Sequence, residues 1–176
     1  MNEANFWELM EHTKQISRNN GRKQAQLLID ELTKLTKDEI IDYYKFFRDY
    51  MGQAYSHNLW DAAYIIGCGC SDDGFKDFRA WLIGQGRTAF ENALKDPESL
   101  IEVVRLPYRT QVEDLLYVPD KAYLIKTGDS LPPIPGTRPI LKGEGTEESD
   151  LQYKYPRLYA KFGDCAEFTL DPAEEE

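Results

Sequence analysis

Apolar side chains recur at intervals of three and four residues from Asn5 to Thr127, and capping residues separate one stripe from the next. This spacing places the apolar side chains on one face of a helix. The clearest helix start is a capping box formed by Thr36 and Glu39. The apolar stripe predicted behind it is Ile40, Tyr44, Phe47, Met51 and Ala54. Since no stretch alternates as a strand does, we predict an all-α fold, a compact multi-helix single domain.

The composition changes after residue 127 and divides the chain into four parts. Residues 1–127 are expected to form the helical core domain. Residues 128–145 are rich in proline and glycine, which cannot sustain a helix, and are predicted to be an extended surface segment. Residues 146–170 regain aromatic side chains and are expected to pack on the core, while residues 171–176 form a disordered acidic tail.

Length and charge limit the classes of function. The chain has 176 residues, enough for one domain with its own core, and a formal net charge of −10. No basic stripe offsets that charge, so nucleic-acid binding is disfavoured. No apolar run approaches the roughly 20 residues needed to cross a bilayer, and no secretory signal is visible. We therefore expect a cytoplasmic protein that binds neither nucleic acid nor membrane.

The cysteines indicate free thiols. The chain contains three cysteines, and Cys68 and Cys70 are too close in sequence for an ordinary structural disulfide. A structural zinc site needs four ligands, and the remaining candidates, Cys165, His12 and His57, are scattered along the chain. We therefore predict that Cys68 and Cys70 are reduced and bind no metal, and no cofactor is indicated.

The most distinctive residues lie between Leu59 and Leu82. Helical spacing stops at Gly67 and resumes at Phe75, which predicts a loop flanked by two aromatic-rich helices. Such a loop can hold a polar site without disturbing the core. The candidate site residues are Trp60, Cys70, Ser71, Asp72, Asp73, Arg79 and Trp81.

These candidates allow a structural and a functional interpretation. In the first, a side chain of the Ser71-Asp72-Asp73 run caps the following helix, and we expect at least one carboxylate to accept backbone N–H bonds there. Cys70 is then a small buried hydrophobe, and Trp60 and Trp81 belong to the core. In the second, the two carboxylates form a pair that faces a cleft, is steadied by Arg79 and binds a cation or a basic side chain.

The same run resembles a known family. The motif Cys70-Ser-Asp-Asp-Gly-Phe75, followed by Phe78-Arg79-Ala-Trp81-Leu-Ile and Gln85-Gly86, resembles the bacterial family catalogued as domain of unknown function 4240. Trp7, Asp96-Pro97, Ala122-Tyr123 and Tyr155-Pro156-Arg157-Leu158 extend the resemblance over nearly the whole chain. It implies a mainly helical fold and a bacterial source, and it brings no assigned activity.

Two functions of different classes stay open. The first is a non-catalytic protein-interaction domain, of an immunity or regulator type, whose aromatic segment Tyr153–Tyr159 carries the Tyr and Arg side chains typical of interface anchors. The second is a small-ligand-binding protein or enzyme that uses Asp72, Asp73 and Arg79 in a cleft. The two differ in whether those side chains line a concave pocket or are used in capping and internal contacts.

Overall fold

The computed structural model describes residues 1–136 and 138–165, and in these residues it confirms the predicted all-α fold. The α-helices are α1 (Glu3–Ser17), α2 (Gly21–Leu32), α3 (Lys37–Gln53), α4 (His57–Gly67), α5 (Asp72–Gly84), α6 (Arg87–Lys95), α7 (Val118–Thr127), α8 (Leu151–Lys154) and α9 (Pro156–Phe162). Short 3₁₀ helices span Pro97–Glu102, Pro107–Arg109, Glu113–Tyr117 and Glu148–Asp150. Across this described part of the chain, no helix has the length and apolar character needed to cross a bilayer.

Helices α1 to α4 each begin at a side chain that caps them. Asn2, Asn20, Thr36 and Ser56 each accept a hydrogen bond from the backbone N–H three residues further on. Glu39 completes the capping box, because its carboxylate accepts the backbone N–H of Thr36 at 3.0 Å. A cap of this kind stabilises a helix by about 1 kcal/mol. The capping box predicted for Thr36 and Glu39 is therefore confirmed.

The buried face of α3 differs from the predicted stripe. Tyr43 and Tyr50 are buried, whereas Tyr44 and Met51, which the prediction placed in the core, are only half-buried. The ring of Phe6 on α1 packs against the face of α3 that carries Tyr43 and Tyr50. Its centroid lies 5.2 Å from the ring centroid of Tyr43 and 5.4 Å from that of Tyr50. Aromatic packing between the two helices thus rotates α3 slightly from the orientation that its own pattern indicated.

Pro97 and Pro119 lie at the starts of two helical segments after α6. Asp96 accepts the backbone N–H of Glu98 at 3.0 Å, and Pro97 follows the cap as the first helical residue. The segment that they open is a 3₁₀ helix. Pro119 is the second residue of α7, where its missing N–H costs no hydrogen bond.

Helix α5 occupies the centre of the molecule. It packs against α1, α2, α3, α4 and α6 and against the 3₁₀ helix Glu113–Tyr117. Consequently its second half is buried on every side, from Phe78 to Gly84. This half of the helix has no polar face, so a polar side chain in it must find its partners inside the protein.

The C-terminal segment lies against α4 and the 3₁₀ helix Pro97–Glu102. Its buried residues, Leu151, Tyr155, Leu158 and Phe162, are spaced as one helical face. Between α7 and this segment the chain is mainly irregular, and Lys142 forms an isolated bridge with Ser56. The acidic tail predicted at residues 171–176 and the end of the predicted docking segment, after residue 165, lie outside the described residues.

Candidate functional site

The turn between α4 and α5 holds most of the candidate residues. Cys68 adopts a left-handed conformation with φ of 52° and ends α4. Ser71 begins α5, because its hydroxyl accepts the backbone N–H of Gly74 at 3.1 Å. The interpretation of this run as a helix cap is therefore confirmed, but the expectation that a carboxylate forms the cap is wrong. The serine hydroxyl takes the N-cap position and moves both aspartates into the first turn of the helix.

Asp72 and Asp73 are exposed in the first turn of α5. Carboxylates at this position interact favourably with the positive end of the helix dipole without accepting a capping hydrogen bond. Asp73 also lies close enough to Asp77 for its negative charge to raise the pKa of that half-buried carboxyl, after the larger effect of burial and that of Glu113. The aspartates thus form part of an acidic surface.

Arg79 lies inside the protein, away from the two aspartates. Its side chain is on α5, and the residue is only 8% exposed. Its Nη1 donates to the carbonyl oxygen of Met51 at 2.8 Å, near the C-terminal end of α3, and its guanidinium lies over the rings of Tyr55 (4.5 Å) and Phe75 (5.0 Å). Within the described residues Arg79 forms no ion pair. Burial lowers the pKa of this guanidinium from its ordinary value, although an arginine at such a pKa stays charged at neutral pH.

The two tryptophans differ in position. Trp81 is buried in the core, as expected, with its ring centroid 5.4 Å from that of Phe78. Trp60 is half-buried: its ring stacks on Phe75 at 4.8 Å, and its Nε1 donates to the carbonyl oxygen of Cys70 at 3.0 Å. Trp60 therefore fixes the turn to the aromatic layer below it.

The thiol of Cys70 is free and half-buried. Burial, followed by the charge of Asp77, raises the pKa of this thiol to about 11. Since a thiol attacks as the thiolate, a cysteine in this environment is a poor nucleophile at neutral pH. These surroundings fit the interpretation of Cys70 as a small, partly buried hydrophobe.

Cys68 forms a disulfide with Cys165, so the prediction that Cys68 is reduced is wrong. The two Cα atoms are 5.6 Å apart, a separation typical of disulfides, and 97 residues separate the cysteines in sequence. The bond ties the end of α4 to the end of the C-terminal segment. The short distance between Cys68 and Cys70 in sequence holds no information about Cys165. The pair forms because helix packing closes a long loop and brings the two cysteines together.

A buried polar network, which no pattern in the sequence indicated, joins α4 to the C-terminal segment. Asp61 is 8% exposed, and its carboxylate accepts hydrogen bonds from Lys154 Nζ (3.1 Å), the Tyr155 hydroxyl (3.3 Å) and the Thr146 hydroxyl. Lys154 also donates to Asn58 at 3.0 Å. Burial and the charge of Asp61 raise the pKa of Tyr155, which keeps its hydroxyl protonated as a donor. Every member of the network thus has a partner, as buried polar groups require.

Two cavities open on the surface at other places. One, of about 300 Å³, lies beside the network and is lined by His57, Trp60, Tyr64 and Thr146, among others. The second, of about 440 Å³, lies between α1, α6 and the 3₁₀ helix Pro97–Glu102. Of the sequence-derived candidates, only Trp60 lines either cavity.

Comparison with known protein families identifies a match. The family model described as a protein of unknown function (DUF4240) matches residues 1–124. No curated protein and no solved structure matches the chain. The matched residues include α1 to α6 and the whole turn between α4 and α5, so they hold all the candidate site residues. The resemblance noted at Tyr155–Leu158 lies beyond the matched residues.

Proposed function

We propose that this chain, which belongs to the DUF4240 family of proteins of unknown function, is a non-catalytic protein-interaction domain of an immunity or regulator type. The observation that carries the proposal is the outward surface of α8 and α9, which we call the tyrosine surface and define as Tyr153, Arg157 and Tyr159. Tyr153 is 76% exposed and Tyr159 is 38% exposed. Tyrosine and arginine are, with tryptophan, the side chains enriched among the energetic anchors of protein interfaces.

The tyrosine surface rests on a firmly attached segment. Its inward face buries Leu151, Leu158 and Phe162. The Asp61 network attaches the same segment to α4 through Lys154 and Tyr155. A surface held in this way loses little conformational entropy when a partner binds, so more of the contact energy appears as affinity.

The charge of the chain favours a basic partner. With a formal net charge of −10, the protein attracts positively charged surfaces. The range of this electrostatic attraction decreases as the salt concentration rises. Arg157 itself is only loosely paired, since its Nη2 lies 3.9 Å from Glu102 and both side chains are largely exposed. The guanidinium therefore stays available for a contact across an interface.

The alternative function, ligand binding or catalysis through Asp72, Asp73 and Arg79, has less support. The guanidinium of Arg79 donates hydrogen bonds to the carbonyl oxygens of Met51 and Phe75. None of the three side chains lines either cavity described above. A cleft of the predicted kind would need the guanidinium to leave its aromatic surroundings.

The proposal is tested by comparing partners captured from the native host by the wild-type protein and by a Tyr153→Ala/Tyr159→Ala variant. We expect a stoichiometric partner that the double variant fails to retain, with unchanged thermal melting because both rings are exposed. The affinity is then measured by calorimetry with the purified partner. A Tyr108→Ala variant, which removes a similarly exposed tyrosine (46%) elsewhere, is the matched control. Equal affinity of the double variant and the wild type would refute the tyrosine surface.

A cytoplasmic location is part of this proposal, and the disulfide supplies its test. Disulfides are rare in reducing compartments, so in the cytoplasm Cys68 and Cys165 should be thiols for most of the time. Rapid alkylation of intact cells, followed by mass spectrometry, reports the state of both residues. Alkylation of both cysteines supports a cytoplasmic location, whereas a fully oxidised pair contradicts it.

A further inference from the structure

The cavity of about 300 Å³ beside the Asp61 network has aromatic walls and acidic lining residues. His57, Trp60 and Tyr64 supply three rings from α4. The lining also contains two carboxylates, those of Asp61 and Glu148, and among the described residues no lysine or arginine lines it. Aromatic rings attract cations through their negatively charged faces, and a carboxylate adds to this attraction. The composition of the lining therefore favours an organic cation.

Contacts within the protein hold the rings in place. The ring of Trp60 stacks on Phe75 with the centroids 4.8 Å apart, and its Nε1 donates to the carbonyl oxygen of Cys70. The ring of His57 lies nearly parallel to that of Trp60, with 16° between the planes and 6.4 Å between the centroids. The backbone N–H of His57 donates to the carbonyl oxygen of Lys142 at 2.9 Å. Rings held in this way lose little conformational entropy when a ligand binds.

Glu148 supplies a negative charge that no cation of the chain neutralises. Its carboxylate accepts a hydrogen bond from the hydroxyl of Tyr64, which raises the pKa of that tyrosine, an effect that burial reinforces. A neutral donor of this kind leaves the charge of the carboxylate in place. Within the described residues, no lysine or arginine forms an ion pair with Glu148. Asp61 differs, because Lys154 lies 3.1 Å from its carboxylate and balances its charge.

The stretch of chain that supplies one wall of the cavity, residues 142–154, is acidic. It contains two lysines, and both are engaged: Lys142 donates to the carbonyl oxygen of Gln53 at 3.3 Å, and Lys154 pairs with Asp61. Its four carboxylates belong to Glu144, Glu147, Glu148 and Asp150. This excess of negative charge at the opening attracts cations and repels anions.

The hydrogen-bond acceptors of the cavity are already in use, and this selects the kind of cation. Asp61 Oδ2 accepts three hydrogen bonds from the network, and Glu148 accepts one from Tyr64. A cation with several N–H groups would lose its bonds to water and recover few of them in the cavity, which costs free energy. A fully methylated ammonium group has no N–H to leave unpaired, and aromatic rings bind such groups well.

We propose that this cavity binds a trimethylammonium group. The methyl groups contact the rings of His57, Trp60 and Tyr64, and Glu148 balances the charge. The proposal concerns binding alone and involves no covalent step. It goes beyond the interaction function proposed above, because none of the three residues of the tyrosine surface lines this cavity.

The test is calorimetric titration of the protein with choline at low salt. Choline should bind saturably and raise the melting temperature. Two matched probes separate charge from shape: 3,3-dimethyl-1-butanol keeps the shape of choline without its charge, and ethanolamine keeps the charge without the methyl groups. Each should bind about tenfold more weakly than choline or worse. The proposal fails if choline does not bind saturably, or if either matched probe binds as tightly as choline does.

Variants locate the binding at this cavity. Tyr64→Leu removes a ring and should weaken choline binding about fivefold or more, whereas Tyr64→Phe keeps the ring and should retain binding. Glu148→Gln should weaken binding at low salt and have a smaller effect at high salt. The controls are Tyr44→Leu, at a half-buried tyrosine of α3, and Glu147→Gln, at an exposed carboxylate outside the lining. Wild-type affinity of both Tyr64→Leu and Glu148→Gln would place the binding elsewhere and refute the site.

A further pair of probes identifies the carrier of the group, which is either a small molecule or a methylated lysine side chain. Tighter binding of choline than of a short neutral peptide with one trimethyl-lysine assigns a small molecule, and the reverse order assigns the side chain. The same peptide with unmodified lysine should bind more weakly, and equal affinity would contradict the requirement for methyl groups. These results are independent of partner capture through Tyr153 and Tyr159, so either proposal can fail without the other.

Discussion

The guanidinium of Arg79 donates a hydrogen bond to the carbonyl oxygen of Met51 at 2.8 Å, and this contact connects the central helix α5 to the end of α3. The carbonyl groups in the last turn of a helix have no partner within the helix and carry partial negative charge. The rings of Tyr55 and Phe75 enclose the same guanidinium. A cation, a helix end and two aromatic faces therefore stabilise one another inside the protein.

This arrangement predicts that Arg79→Lys destabilises the fold. Lysine keeps the charge but cannot stack a planar group on Tyr55 while donating to Met51. We expect a loss of about 1–3 kcal/mol in the free energy of unfolding, the range for hydrogen bonds to charged groups and their buried partners. Urea denaturation measures it. Arg22→Lys, at a highly exposed position, is the control and should unfold at the wild-type midpoint; the same midpoint for Arg79→Lys would contradict the contact's importance.

The start of α5 gives a second prediction, since Ser71 and the aspartates have different roles. Ser71→Ala removes the cap and should cost about 1 kcal/mol. Asp72→Asn and Asp73→Asn remove only a charge near the helix dipole, and each should cost about 0.3–1 kcal/mol at low salt and less at high salt. Thermal melts at two salt concentrations separate the cases. A larger loss for either Asn variant than for Ser71→Ala would show that a carboxylate has a structural role beyond the dipole.

The disulfide gives a third prediction. Closing a loop of 97 residues restricts the unfolded chain, and typical native disulfides contribute about 2–4 kcal/mol. Cys165→Ser should therefore lower the melting temperature of the oxidised protein. Cys70→Ser should leave the disulfide in place and is the control. Peptide mapping of the oxidised protein should find Cys68 linked to Cys165 and Cys70 alkylated, and alkylation of Cys68 would disprove the pairing.

Alkaline pH gives a fourth prediction. Burial, followed by a hydrogen bond to Glu3, raises the pKa of Tyr50 to about 12. In the unfolded chain a tyrosine ionises near pH 10, so between these values the unfolded state has released a proton that the folded state still holds. Stability contributed by Tyr50 is thus fully present below about pH 10 and is lost as the pH rises towards 12.

Tyr50→Phe tests this sign directly. The variant loses hydrogen bonds to Trp7 and Glu3, so its stability at neutral pH should fall. Its stability should nevertheless decline less steeply above pH 10 than that of the wild type. Denaturation at a series of pH values provides the slopes. Tyr153→Phe, at an exposed tyrosine, should decline like the wild type, and equal slopes for all three proteins would contradict a raised pKa of Tyr50.

The helix cap in the candidate turn could be predicted from the sequence because capping depends on residues close together in the chain. A capping side chain acts on an N–H three residues away, as Ser71 does for Gly74, so a short window contains both partners. The same holds for the capping box of α3. Within that window, however, three capping residues stood in a row. The sequence did not distinguish Ser71 from the two aspartates that follow it.

By itself, the sequence determined the all-α class, the capping box that begins α3 and the position of the distinctive turn, since periodicity and capping depend on residues within a few positions of one another. Tertiary structure alone decided the partner of Cys68 and the position of Arg79 beside Met51. These residues lie far apart along the chain. They meet because packing around α5 sets the relative positions of whole helices, and no local pattern records the result.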